Sequence, residues 1–412
     1  MTSQAKKLLI WAEKSAGARH MGAIPTHAAP YMVVHINDLD SDLFLLNVQN
    51  GTIVIRRLDD GNVSVTLKPH DPNDLITRLS PVNFDPTATC PTYDAALAHV
   101  QPDADVRAFL HRAVGYAATG DTSEQKLFFF YGGGRNGKST FVDAWAHVLG
   151  TYAATIPIET FLSGAQSRYA GQASPHLARL RAIRMLRTSE AEKDAVLAES
   201  FIKLATSNEP ILVRELNQPF FELRPQFKLF ISGNYKPRIR GTDDGIWRRI
   251  ILVPWLVKVS DEMCDPHLAD KLKAEASGIL NRMLEGVVDW MKGGLQVPPP
   301  IAEATAEYRS DSDHLGRFKA ECLREVPGSR VTSADIYDVF VAWAKSTGAP
   351  IWTRTGFGRA MTDRGYKSTK SGSNFWIGIE LTRQLSDFGS ADEPPVDDPA
   401  PPTATDDTPM DY

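Results

Sequence analysis

The run Leu127-Phe128-Phe129-Phe130-Tyr131-Gly132-Gly133-Gly134-Arg135-Asn136-Gly137-Lys138-Ser139-Thr140-Phe141 decides the fold. Its first five residues are a continuous apolar stretch ended by glycines, the pattern of a strand buried on both faces. Two later segments share it, Ile183 to Thr188 and Phe227 to Ser232, with helical patterns between them. Strands alternating with helices predict an α/β core built on a largely parallel sheet. Gly132 to Ser139 also fits G-x-x-x-x-G-K-[ST], set between that strand and the helical pattern Thr140 to Val148. The chemistry requires these residue types. Gly132, Gly133, Gly134 and Gly137 let the backbone N–H groups of the loop, Arg135 and Asn136 included, turn inward around a phosphate. Lys138 reaches the β- and γ-phosphates, and the Ser139 hydroxyl ligates Mg²⁺. Thr140 follows in the first turn of a helix whose N-terminus favours an anion. The expected cofactors are ATP and Mg²⁺.

Such a loop needs a carboxylate for the metal and the attacking water. Ser189-Glu190-Ala191-Glu192 follows the second apolar strand, so Glu190 falls at the carboxyl end where α/β sheets place ligands, with Glu192 close by. Glu190 is the expected second metal ligand after Ser139. The alternative is two acids that merely begin a helix. Arg184 and Arg187 within that strand are at odds with full burial, which implies an edge strand or a subunit interface. The third strand ends in Gly233-Asn234, where an asparagine can polarise water or sense a γ-phosphate, or simply make a turn. Arg238-Ile239-Arg240 and Arg248-Arg249 then precede the apolar run Ile250 to Val253. Arginines there can stabilise a neighbour's phosphoryl transition state, bind DNA phosphate or serve the fold.

Composition bounds the class. The 412 residues suffice for two to four domains, and 42% hydrophobic with 23% charged residues is a globular balance. No apolar run approaches the ~20 residues of a membrane helix, so no membrane association is expected. The amino end does not read as a secretory signal. Three scattered cysteines make no metal spacing and no disulfide framework, which fits a reducing cytosol. Of 50 acids, eight follow Arg383 with no lysine or arginine among them, leaving 42 acids against 45 bases in residues 1–383. The body is therefore mildly basic, which permits nucleic-acid binding without requiring it.

Residues 1–103 read as an α+β module: a helix from Gln4 to about Ala18, then strands around turns at Asn50-Gly51 and Asp60-Gly61-Asn62. Asp38-Leu39-Asp40 within it is read as a polar turn; a two-metal polymerase palm would need far more chain around it. Pro81 to Tyr93 reads as a connector. Residues 104–300 form the ATPase region, which closes with helix from Asp265 to about Lys292 and a boundary at Val297-Pro298-Pro299-Pro300. Residues 301–383 show three helical segments (Ser312–Leu323, Ser333–Ser346, Thr355–Arg364) and a terminal hairpin, a winged-helix pattern. Arg354, Arg359 and Lys367 are its DNA candidates, with a solvated basic surface as the alternative. Residues 384–412, rich in Pro and Asp, are expected to be a disordered tail that solubilises or docks on a partner.

The ordered set FFFYGGGRNGKSTF, SEAE and PFFELRPQFKLFISGNYKPRIRGTDDGIWRRI resembles the superfamily 3 helicases, and within them the helicase half of the phage, plasmid and poxvirus primase–helicases. LLNVQNG, HDPNDLITR and EYRSDSDHLGRF extend the resemblance to nearly the whole chain up to Arg383. It implies an AAA+-like core and a hexameric, ATP-driven translocase on single-stranded or forked DNA. By motif it makes Lys138 and Ser139 the nucleotide and metal residues. Glu190, with Glu192, takes the Walker B role, and Asn234 is sensor 1. Arg249 is the preferred trans-acting finger, with Arg248 beside it. Ile211 to Leu223 becomes a pore hairpin with Lys203, Arg214, Asn217 and Gln218 as DNA contacts. The segment Thr206-Ser207-Asn208-Glu209-Pro210 and a hairpin tip without Lys or His depart from the pattern. The expected setting is the cytosol of a bacterial host, in replication of a phage, plasmid or related mobile element, with a separate primase or single-strand-binding protein as partner. The rival expectations are an ATP-switched origin-binding initiator or loader, and a structural P-loop protein that does not hydrolyse.

Overall fold

The computed structural model describes residues 2–164, 174–188, 190–193, 195–241, 243–371 and 373–388. The expected acidic tail lies outside the described residues beyond Phe388. The chain divides into two compact units between Arg309 and Ser310.

The first unit opens with two helices, Ser3–Ser15 and Ala18–Ala28, where one was expected; neither buries a residue. Next come β1 (Leu45–Val48), β2 (Gly51–Arg57) and β3 (Val63–Lys68), an antiparallel sheet in that order. The expected turns join them: Val48 pairs with Gly51, and Gly61 takes the positive φ of a tight turn while Asp60 accepts from the Asn62 amide. Asp40 is buried, and its carboxylate accepts from the Thr77 amide and hydroxyl, a turn-stabilising role.

The core strands are β4 (Leu127–Tyr131), β5 (Ala153–Ile156), β6 (Met185–Thr188), β9 (Lys228–Gly233) and β10 (Ile250–Pro254), with β7 (Ile211–Val213) and β8 (Phe221–Leu223) forming a separate antiparallel hairpin. The five are all parallel, in the order β10-β4-β9-β6-β5. Their unbroken apolar runs follow from burial on both faces. Phe128 and Phe130 pack on one face with Phe230, Trp145 and Trp255; Leu127 and Phe129 pack on the other with Leu229, Ile231 and Leu252.

The helix Ala104–Ala118, with Asp103 as its N-cap, crosses Ala276–Gly293 at two glycines. A Cβ on Gly115 would lie 2.4 Å from the Val287 nitrogen, and one on Gly286 would lie 1.9 Å from the His111 carbonyl oxygen. The helical stretch expected from Asp265 breaks at Glu275, whose carboxylate accepts from the Thr92 and Tyr93 amides and so caps the helix Pro91–Val100. That helix begins inside the segment Pro81 to Tyr93 expected as a connector and runs seven residues beyond it.

The arginines of β6 need a different account from the one expected. β6 is interior, flanked by β9 and β5. Arg184 is buried, donating to the carbonyls of Ala118 (2.7 Å) and Leu45 (2.6 Å) and stacking on Tyr152. Lys228, one strand over, is also buried and donates to the carbonyls of Thr119, Asp121 and Gln226. Helix Ala104–Ala118 ends here, and its free carbonyls and negative dipole end suit two cations that have left water. Burial lowers the pKa of both groups. Arg187 pairs with Asp143 on the helix after the glycine loop.

The proline run at 297–300 starts a helix instead of ending a domain. Pro298 accepts from the Ile301 and Ala302 amides, and Pro299–Ser312 returns Ile301 and Tyr308 to the first unit's core. In the second unit, helices His314–Cys322, Ser333–Thr347 and Arg354–Asp363 surround Phe318, Phe340, Trp343 and Phe357. They pack with an antiparallel sheet of β11 (Leu323–Thr332), β12 (Ser368–Ser371) and β13 (Ser373–Leu381), ordered β11-β13-β12. The hairpin was expected and β11 was not. Its Pro-Gly pair, at an irregularity between Glu325 and Arg330, breaks the alternation that marks a strand.

Candidate active site

Gly132 to Gly137 connects β4 to the helix Lys138–Leu149, at the carboxyl edge of the parallel sheet. Gly134 (φ +83°) and Gly137 (φ +79°) adopt the left-handed conformation that favours glycine, and Arg135 joins them at φ +51°. Gly132 is required for space: a Cβ there would sit 2.1 Å from the Trp255 carbonyl oxygen. Asn136 is buried and its Nδ2 donates to that same carbonyl at 2.7 Å. The segment after β10 also holds the loop's outer side. The Val259 amide donates to the Arg135 carbonyl, and Arg135 pairs with Asp261. Nothing in the local sequence marks Trp255, Val259 and Asp261 as partners of the loop.

Gly137 caps the following helix without a side-chain bond, so the first helical amides, those of Lys138, Ser139 and Thr140, are left for a ligand. Lys138 is buried, and its Nζ donates to the Gly132 carbonyl at 2.6 Å, to Asn136 Oδ1 at 3.1 Å and to Asn234 Oδ1 at 3.4 Å. Burial lowers the Lys138 pKa, and the Glu190 carboxylate opposes this by favouring the charged form. Glu190 Oε1 accepts from the Asn234 amide at 2.6 Å. Residues nearly a hundred positions apart thus form one network, Lys138–Asn234–Glu190, around a cleft of about 400 Å³. Ser139, Thr140, Thr188 and Gly233 also line it. Glu192 is exposed and does not line the cleft. A nucleotide triphosphate with Mg²⁺ fits this donor set: glycine amides and Lys138 for phosphate, Ser139 and Glu190 as oxygens for the metal.

The two finger candidates differ. Arg249 is 7% exposed; its guanidinium donates to Thr206 Oγ1 (3.1 Å), Gln125 Oε1 (3.4 Å) and the Gly245 carbonyl. Arg248 is exposed, with one 3.3 Å contact to Gln125. The preference for Arg249 drawn from its place beside the strand does not fit this burial, since a fully engaged side chain cannot reach outward.

The DNA candidates are dispersed. Lys203 is paired with Asp243 at 2.9 Å. Arg214 lies over the Phe220 ring, 4.6 Å from its centroid. Asn217 (φ +58°) and Gln218 form the exposed turn of the β7–β8 hairpin, beside Leu216 at 69% exposure. In the second unit Arg354 contacts Asp338 and the Tyr337 ring, while Arg359 and Lys367 are exposed. Among the described residues no helix is long and apolar enough to cross a membrane.

A parallel sheet with a glycine-rich loop, a buried lysine and a carboxylate across a polar cleft defines a P-loop-like α/β core. Residues 2–102 match the family described as D5 N terminal like. A protein of Acanthamoeba polyphaga mimivirus, provisionally named a helicase, is 25% identical over 331 residues, covering 76% of this chain and 34% of its own length. A Frog virus 3 protein, also provisionally named a helicase, is 27% identical over 270 residues, covering 61% of this chain and 28% of that one. An African swine fever virus protein, provisionally named a primase, is 26% identical over 330 residues, covering 75% and 34%. Among solved structures, the apo C-terminal region of NrS-1 superposes with a TM-score of 0.45 at 14% identity, over 79% of this chain and 82% of that one. Together these matches support a D5-type N-terminal module and a primase–helicase-like helicase region. It spans about a third of the length of the curated relatives it matches.

Proposed function

We propose that this chain is an ATP-dependent DNA helicase or translocase acting in replication of a phage, plasmid or related mobile element. The observation that carries the reading is the network joining Lys138, Asn234 and Glu190 around the glycine loop. Each member matches one task of ATP hydrolysis. The loop amides and Lys138 bind the triphosphate, Ser139 and Glu190 hold Mg²⁺, Glu190 takes a proton from water, and Asn234 keeps Lys138 and Glu190 in register. Bound Mg²⁺ would neutralise charge on the phosphates. The core acts as a homohexamer in which each subunit supplies Arg248 to its neighbour's nucleotide, because Arg248 is exposed and Arg249 is engaged within its own chain.

Single-stranded or forked DNA is the substrate, gripped by the β7–β8 hairpin. The second unit serves as a winged-helix module for DNA or a partner protein. Its exposed Arg359 and Lys367 support this, as does a helix pair beside a hairpin. A separate primase or single-strand-binding protein is the partner that such a role requires.

The test is ATP hydrolysis by the purified chain with and without single-stranded DNA, beside Lys138→Ala. Turnover stimulated by DNA and lost in the variant is the expected result. No turnover in wild-type protein at concentrations where a ring is verified would overturn the reading and leave an ATP-binding switch or structural role.

A further inference from the structure

Thr188 is the last residue of β6, two positions beyond Leu186 and therefore on the same sheet face. It is 7% exposed and lines the phosphate cleft together with Lys138, Ser139, Glu190 and Asn234. Its Oγ1 has no hydrogen-bond partner among the described residues. A buried hydroxyl without a partner is a net cost to the fold, and valine would fill the same space without it. The strand does not need a polar group here: Leu186 is wholly apolar and fully buried. An unsatisfied hydroxyl at the mouth of a catalytic cleft is best accounted for by a partner that arrives with the substrate.

We infer that the Thr188 hydroxyl positions the attacking water against Glu190; the inference rests on the ATP-hydrolysis reading. Glu190 Oε1 is occupied by the Asn234 amide, which leaves Oε2 to accept one O–H of the water. A water held by one hydrogen alone can still rotate. If Thr188 Oγ1 accepts the second O–H, both hydrogens are fixed and a lone pair of the water oxygen is left to face the γ-phosphorus. In the step, the water oxygen bonds to phosphorus as the bond to the β,γ-bridging oxygen breaks. ADP leaves with that electron pair, one proton of the water passes to Glu190, and the other remains on the inorganic phosphate. Thr188 exchanges no proton; it is a positioning residue.

The test uses the full chain carrying Thr188→Val or Thr188→Ser, with kcat, KM for ATP and affinity for a fluorescent ADP measured on each. Valine keeps the volume and the β-branch that suit the strand. Thr188→Val is expected to lower kcat about a hundredfold, the scale of a misplaced reactant, with KM and ADP affinity little changed. Thr188→Ser, which restores the hydroxyl, should recover most of kcat. Wild-type kcat in Thr188→Val would overturn the inference and leave the ATPase reading intact. So would loss of ADP affinity in step with kcat, which would mark a structural role, or failure of serine to rescue. Absence of turnover in wild-type protein would overturn both.

Discussion

Arg248 and Arg249 are neighbours in sequence and opposites in environment. Arg249 is enclosed by Thr206, Gly245 and Gln125, and burial lowers its pKa, with the Arg248 charge adding to that. Arg248 stands in solvent at the start of β10. The two arginines should therefore fail differently. Arg248→Ala is expected to lower kcat roughly a thousandfold, the range of a lost arginine finger, while leaving nucleotide affinity and thermal stability near wild type. Arg249→Ala is expected to destabilise the fold by ~1–3 kcal/mol through the partners it strands, measured by chemical denaturation. The reverse pattern would return the finger to Arg249. At this scale the sequence was an uneven guide. The glycine loop was legible because its chemistry is contiguous, and Glu190 and Asn234 because each ends an apolar strand. Which arginine is free was not legible, because that depends on Thr206 and Gln125, far away in the chain. Thr188 was missed for a similar reason: a threonine closing a strand is unremarkable until its hydroxyl is found without a partner.

At the scale of elements, β4, β6 and β9 were legible because strands buried on both faces leave continuous apolar runs, and the hairpins because turn residues mark them. The helix Pro91–Val100 was hidden by three prolines that read as a connector; Pro91 instead occupies its first turn, where a missing N–H costs nothing. β11 was hidden by its irregular register. Arg184 and Arg187 looked anomalous because their acceptors lie far upstream in the chain: the Ala118 and Leu45 carbonyls for Arg184 and the Asp143 carboxylate for Arg187. The helices Ala104–Ala118 and Ala276–Gly293 pack at a distance only glycine permits. Gly286→Ala is accordingly expected to cost about 1–3 kcal/mol by overpacking. The loss should appear as a lower denaturation midpoint with an unchanged denaturant slope. A stability equal to wild type would mean that the helices separate freely and that this crossing does not anchor the sheet.

At the scale of the whole molecule, the division after Arg309 assigns the helix Pro299–Ser312 largely to the first unit, whose core closes with Tyr308 packed against Trp247. The first unit combines the residues that match the D5-type N-terminal module with the P-loop-like core, and buried Arg184 ties the two together through the Leu45 and Ala118 carbonyls. The most direct measurement is displacement of a labelled strand from a forked duplex, with ATP, by wild-type chain and by Glu190→Gln. The account predicts ATP-dependent displacement by the wild type. It predicts none by Glu190→Gln, which should still bind nucleotide and DNA. DNA-stimulated ATP hydrolysis without strand displacement, at concentrations where the ring is verified, would contradict the helicase.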